Sequence, residues 1–149
     1  MDFRDYDTRL AAYALIVEDD AVLLTWFNGS ATDPPGWSLP GGGVEFDETV
    51  EEAVVREVRE ETGHEVALHE PLAVHSFTEP TGHGSSRPFK SLRVVFRASV
   101  TGGTLGTLEV GGTTDFAAWV PLDGLGREDS RADIVDVADS AWRSSPDGG

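Results

Sequence analysis

A chain of 149 residues with a formal net charge of -16, 39% hydrophobic and 26% charged residues has the composition of one soluble globular domain. Its 27 Asp and Glu against 11 Lys and Arg argue against a duplex nucleic acid partner, which calls for surplus cations, and no apolar run is long enough to cross a bilayer. The absence of cysteine excludes disulfides and thiolate metal sites and fits a cytoplasmic location; the first ten residues lack the basic start and apolar stretch of a secretory signal.

In chain order, residues 1–8 and 144–149 read as loose ends of a single domain spanning 1–149. The β-like runs 10–17 and 21–27, separated by Glu18-Asp19-Asp20, suggest a hairpin. A polar loop leads to Trp37-Ser38-Leu39-Pro40, a short extended piece broken by Gly41, Gly42 and Gly43. Thr49 and Glu52 have capping-box spacing and Gly63 is placed as a C-terminal stop, so a helix is expected over 50–62. Strand-like runs follow at 65–70, 72–78, 91–100 and 116–122, and helical spacing of Ile134, Val137, Ala138, Ala141 and Trp142 predicts a closing amphipathic helix over 130–142. Alternation of this kind predicts an α/β fold in which helices cover a mixed sheet.

The 50–62 helix carries an anomaly. From Glu45 to Glu65 there are nine carboxylates against two arginines. At 100° per residue, Glu57, Glu60 and Glu61 share one side, in line with Val50, Ala53 and Val54, whereas Glu52, Arg56 and Arg59 fall toward solvent. The glutamates therefore continue an inward-facing stripe. Glu60 and Glu61 also sit at the negative end of the helix dipole, and Glu57 and Glu61 form a like-charge i,i+4 pair. A divalent cation would relieve that repulsion. Hard oxygen donors without Cys or helically spaced His favour Mg²⁺, or Mn²⁺, over Zn²⁺.

Gly42, five residues, Glu48, seven residues, then Arg56-Glu57-Val58-Arg59-Glu60-Glu61-Thr62-Gly63 resembles the Nudix box, departing from its pattern only at His64, where an aliphatic residue is usual. The match covers 23 residues, and Trp37 to Gly43 resembles the strand and loop that lead into the box. The resemblance implies a Nudix-type α/β/α sandwich and hydrolysis of nucleoside diphosphate derivatives, either nucleoside triphosphates or ADP-ribose-like compounds. It also implies Glu57, Glu60, Glu61 and the Gly41 carbonyl as metal ligands. Water would be deprotonated by Glu57, Glu60 or a loop residue, Glu109 or Asp115. Glu48 and Arg56 would brace the glutamates by ion pairing. The implied partner is a small nucleotide diphosphate substrate, with a homodimer left open. A non-catalytic nucleotide sensor with the same fold is the alternative, disfavoured because all three box glutamates are present.

Specificity is less legible. Trp26, Phe27, Trp37, Phe77 and Phe89 are candidates to stack a base, though each also suits a core. Arg87 and Lys90 are candidate phosphate contacts, with a plain surface role weighed above it. His69, His75 and His83 show no ligand spacing, and Asp129, Asp133, Asp136 and Asp139 read as a solvated helix face. Pro80, 16 residues past His64, resembles a feature of ADP-ribose pyrophosphatase-like members.

Overall fold

The computed structural model describes residues 1–31, 33–81, 86–125, 130–146 and 148. Among the described residues, eight strands and two α-helices run β1 (Asp7–Leu15), β2 (Val17–Glu18), β3 (Ala21–Phe27), β4 (Gly36–Ser38), β5 (Gly41–Gly43), α1 (Val50–Thr62), β6 (His64–Glu79), β7 (Phe89–Gly103), β8 (Thr114–Pro121) and α2 (Asp133–Arg143), with one 3₁₀ turn at Leu122–Gly124. One sheet has the order β5-β1-β7-β6 and is mixed: β1 runs parallel to β7 and antiparallel to β5. In the other, β3 is central, paired antiparallel with β8, β2 and β4.

The two sheets share one chain excursion. The expected hairpin survives only at its tip, where Val17 and Glu18 pair with Val22 and Ala21 across Asp19 and Asp20, both at positive φ as a tight primed turn requires. The upstream run 10–15 joins β7 instead, so it lies in the other sheet. The Trp37–Gly43 piece is likewise divided: β4 pairs with β3 and β5 with β1. The runs expected at 65–70 and 72–78 form a single strand, β6, because its ladder with β7 absorbs Glu70 to Leu72 as register shifts around Pro71.

Period-2 alternation on strands buried on both faces builds two cores. Ala12, Ala14, Ile16, Leu23, Phe96 and Ala98 pack with Val54 and Val58 of α1. Leu15, Val22, Leu24 and Val95 point the other way, against Ile134, Val135 and Ala138 of α2. The result is the expected α/β/α arrangement with a mixed sheet. No helix among the described residues is long and apolar enough to cross a membrane.

Helix α1 has the predicted ends. Thr49 accepts from the Glu52 N–H at 3.1 Å and Glu52 accepts from the Thr49 N–H at 2.9 Å. Gly63 closes the helix at φ 79°, donating to the Arg59 carbonyl. The carbonyls of Glu60, Glu61 and Thr62, which have no partner within a helix end, are taken by the 106–109 loop: Leu108 and Glu109 N–H donate to Glu60, Thr107 Oγ1 to Glu61 and Gly106 N–H to Thr62. The end of α1 is thereby fastened to a loop that leads into β8.

Candidate active site

A cleft of about 890 Å³ opens where β4, β5, α1, the end of β6 and the start of α2 meet. Its lining includes Gly41, Gly42, Gly43, Glu57, Glu60 and Glu61. The carboxylates get there by helical phase: α1 packs Ala53, Val54 and Val58 on the sheet, and the same side, continued past Val54, carries Glu57 and Glu61 to the glycine edge strand β5.

Glu61 is the most buried of the three, 7% exposed. Its Oε1 accepts from the Gly41 N–H and its Oε2 from Thr114 Oγ1, both at 2.8 Å, so α1 is tied to both sheets through one carboxylate. Loss of water outweighs those two hydrogen bonds and lifts its pKa to about 8, with Glu57 and Glu109 adding like-charge repulsion. Glu57 lies against Gly42, where a Cβ would stand 2.9 Å from its Oε1 and the carboxylate would have to shift to make room. Burial also raises the Glu57 pKa, against the opposing pull of Arg56. Glu60 is more open.

Arg56 corrects the expectation that it faces solvent. Its guanidinium, 28% exposed, turns back along α1 and takes Glu48 in a two-pronged pair, Nε to Oε2 at 2.8 Å and Nη2 to Oε1 at 2.6 Å. Nη1 reaches Glu57 at 3.2 Å and Glu60 at 3.3 Å, and Nη2 the Gly43 carbonyl at 3.4 Å. The arginine holds Glu48 well below the usual carboxylate range, at about 2. Bracing of the glutamates by Glu48 and Arg56 thus has a visible geometry.

Arg56 is shared among Glu48, Glu57 and Glu60 and gives no hydrogen bond to Glu61, and burial makes both Glu57 and Glu61 bind protons more tightly. An all-oxygen donor set with surplus negative charge fits a hard divalent ion. Among the described residues no three His, Cys, Asp or Glu side chains converge closely enough, as they stand, to hold a metal ion; Glu61 gives its oxygens to the Gly41 N–H and Thr114. The Gly41 N–H is the group seen to engage Glu61.

The loop candidates separate. Glu109 lines the cleft and raises the pKa of both Glu57 and Glu61. Asp115 does not line it; its Oδ1 accepts from Asn28 Nδ2 at 3.1 Å. Of the aromatics, Phe27, Trp37 and Phe77 line the cleft, while Trp26 packs edge-on behind Trp37 at 5.1 Å and buried Phe89 lies 6.4 Å from Phe77. Arg87 is bound to Asp7 and the Arg4 carbonyl, and it and Lys90 lie outside the cleft lining. His69 meets Ser99 Oγ, and Pro80 sits exposed past β6. His83 and Asp129 lie outside the described residues.

Sequence reasoning missed Arg93. Its guanidinium, 5% exposed, gives Asp133 two hydrogen bonds of 2.8 Å, meets His75 Nδ1 at 2.7 Å and covers the Phe77 ring at 4.9 Å. Asp133 is therefore not simply solvated: Arg93 keeps it ionised, below its ordinary pKa, on the cleft wall opposite the glutamates. Asp136 and Asp139 also pair, with Arg131 and Arg143. The signal for Arg93 was parity, since it shares one face of β7 with buried Ser91 and Val95.

Comparison with known proteins identifies the family. The model of the NUDIX domain matches residues 7–138. An ADP-ribose pyrophosphatase of Methanocaldococcus jannaschii is 46% identical over 71 residues, 46% of this chain and 38% of its own length. The nucleoside triphosphatase NudI of Escherichia coli O139:H28 is 47% identical over 57 residues, 38% of this chain and 40% of its own. The matches thus span well under half the length of these curated relatives. The crystal structure of a MutT NUDIX hydrolase from Burkholderia pseudomallei superposes with a TM-score of 0.71 at 26% identity, covering 91% of this chain and 98% of that one.

Proposed function

Because the chain belongs to the Nudix family, we propose that it is a Mg²⁺-dependent hydrolase of the diphosphate linkage in small nucleotide derivatives. The observation that carries this reading is the delivery of Glu57 and Glu61 by α1 to the Gly41–Gly43 edge strand, inside a cleft whose far wall holds Trp37 and Phe77. Glu57, Glu60 and Glu61, with the Gly41 carbonyl, are the residues that would hold the metal. When bound, a divalent ion supplies charge neutralisation of the diphosphate and acidifies water.

The chain's own residues do the rest. Arg56 keeps Glu57 and Glu60 in place through contacts of 3.2 and 3.3 Å and is itself aimed by Glu48. Thr114 and the Gly41 N–H fix the Glu61 carboxylate between the sheets. Glu57, Glu60 and Glu109 are the cleft carboxylates available to receive the proton of the attacking water; a base works best with a pKa near the operating pH, and burial moves Glu57 in that direction. Trp37 offers its ring to a base, Phe77, with Arg93 over one face, lines the same space, and Asp133, ionised and acceptor-only, faces it.

The activities for which the relatives are named, ADP-ribose pyrophosphatase and nucleoside triphosphatase, define the first panel to test. Products should be resolved for nucleoside triphosphates, ADP-ribose, sugar nucleotides and diadenosine polyphosphates, with Mg²⁺ or with chelator. Metal-dependent cleavage of one class is the expected result. Saturable nucleotide binding with no cleavage of any compound would overturn the hydrolase reading and favour a sensor.

A further inference from the structure

The cleft holds a second arginine whose position has a different logic from that of Arg56. Arg9 lies on β1, exposed, and lines the cleft. Its Nη2 is 3.6 Å from where a Cβ would stand on Gly43. Alternation along β5 then divides the glycines: Gly42 faces the Glu57 carboxylate and Gly43 faces Arg9. The edge strand is approached by carboxylates from one face and by a guanidinium from the other.

Among the described residues, the Arg9 side chain has no hydrogen bond or ion pair. In a chain with 27 acidic residues, and in a cleft that also carries Glu45 and Glu79, an arginine without a carboxylate partner is unexpected on charge grounds alone. Arg56 cannot serve a substrate in its place, since its donors are engaged by Glu48, Glu57, Glu60 and the Gly43 carbonyl. Arg131 is held by Asp136. Register adds direction: Arg9 is aligned with Ser91, and Ser91 with Phe77, so Arg9 and Phe77 share one face two strand spacings apart, roughly 10 Å. That separation matches the reach from a base seated beside Phe77 to the phosphates beyond its sugar.

The geometry points to Arg9 as a substrate-binding residue that grips a phosphate oxygen of the diphosphate from the cleft face of β5, opposite the α1 glutamates. The assignment rests on the hydrolase reading and names a further specificity contact within it. A guanidinium offers two parallel N–H donors to a phosphate, which an ammonium does not.

The test uses the full-length protein and whichever compound of the panel the wild type cleaves. A charged hydrogen bond of ordinary strength predicts that Arg9→Gln raises KM about 10- to 100-fold with kcat changed far less, and that Arg9→Lys recovers part of the loss. Equilibrium binding of a non-hydrolysable methylene-diphosphate analogue should weaken by the same factor, while the nucleoside without phosphates binds equally to wild type and variant. Unchanged KM and analogue affinity in Arg9→Gln would overturn the assignment, as would an equal loss for the bare nucleoside, which would mean a structural role. A wild type that cleaves nothing would instead fail the hydrolase reading, and the analogue-binding arm would still decide on Arg9.

Discussion

Glu61 shows how a single residue can be built against its own ionisation. In metal-free protein its folded pKa of about 8 stands above the ordinary 4.5, so the folded state binds the proton more tightly than the unfolded chain. The stability this confers is fully present below pH 4.5 and is lost as the pH rises through 8, a loss of a few kcal/mol at most. Glutamine does not titrate, and its carbonyl and amide can meet the Gly41 N–H and Thr114 Oγ1 in turn. Glu61→Gln should therefore melt at an increasingly higher temperature than wild type as the pH is raised from 5 to 9 in chelator, while losing turnover by orders of magnitude. A pH-independent difference in melting temperature would contradict the burial of that charge. Glu48 behaves in the opposite sense. Its pKa of about 2 is depressed by Arg56, so its contribution is present above 4.5 and disappears as the pH falls toward 2. Glu48→Gln should flatten the acid side of the stability profile, measured by denaturation between pH 2 and 5, and should reduce activity through misplacement of Arg56.

At the scale of elements, α1 was legible because its limits are set by local chemistry: the Thr49 and Glu52 box starts it and Gly63 stops it. Gly63 has a second duty that only the structure displays. A Cβ there would meet the carbonyls of Thr104 and Gly106, in the loop that takes the last carbonyls of α1. Gly63→Ala combines a left-handed conformation with that collision, so a loss of about 2 kcal/mol or more is expected, lowering the melting temperature by roughly 5 °C. Activity should fall as well, because the displaced loop carries Glu109 and leads to Thr114. A melting temperature equal to wild type would show that the loop is not fastened in this way. The strands were legible as runs but not as partners. The antiparallel match of 10–15 with 21–27 is the local solution, and the parallel match with β7 wins through burial on both faces, which no neighbouring residue encodes.

Across the whole molecule, the sequence located the glutamates, the glycine strand and Glu48 with Arg56, because each belongs to a motif of fixed spacing. It could not place Arg93 beside Asp133 or Arg9 beside Gly43, since those meetings depend on strand register and on where α2 begins. The net charge of -16 supplies a further expectation. A cation bound to the folded state alone stabilises it by mass action, about 2.7 kcal/mol at one hundred times its dissociation constant. The melting temperature should thus rise with Mg²⁺ in the wild type and much less in Glu57→Gln; parallel curves would place the ion elsewhere on the acidic surface. The most direct measurement is the Mg²⁺ dependence of turnover in wild type and Glu57→Gln on one cleaved nucleotide. Turnover that saturates with Mg²⁺ and falls by about two orders of magnitude or more in the variant is the predicted result. Equal turnover in the two proteins, or turnover that persists in chelator, would contradict a metal-bearing carboxylate site on α1.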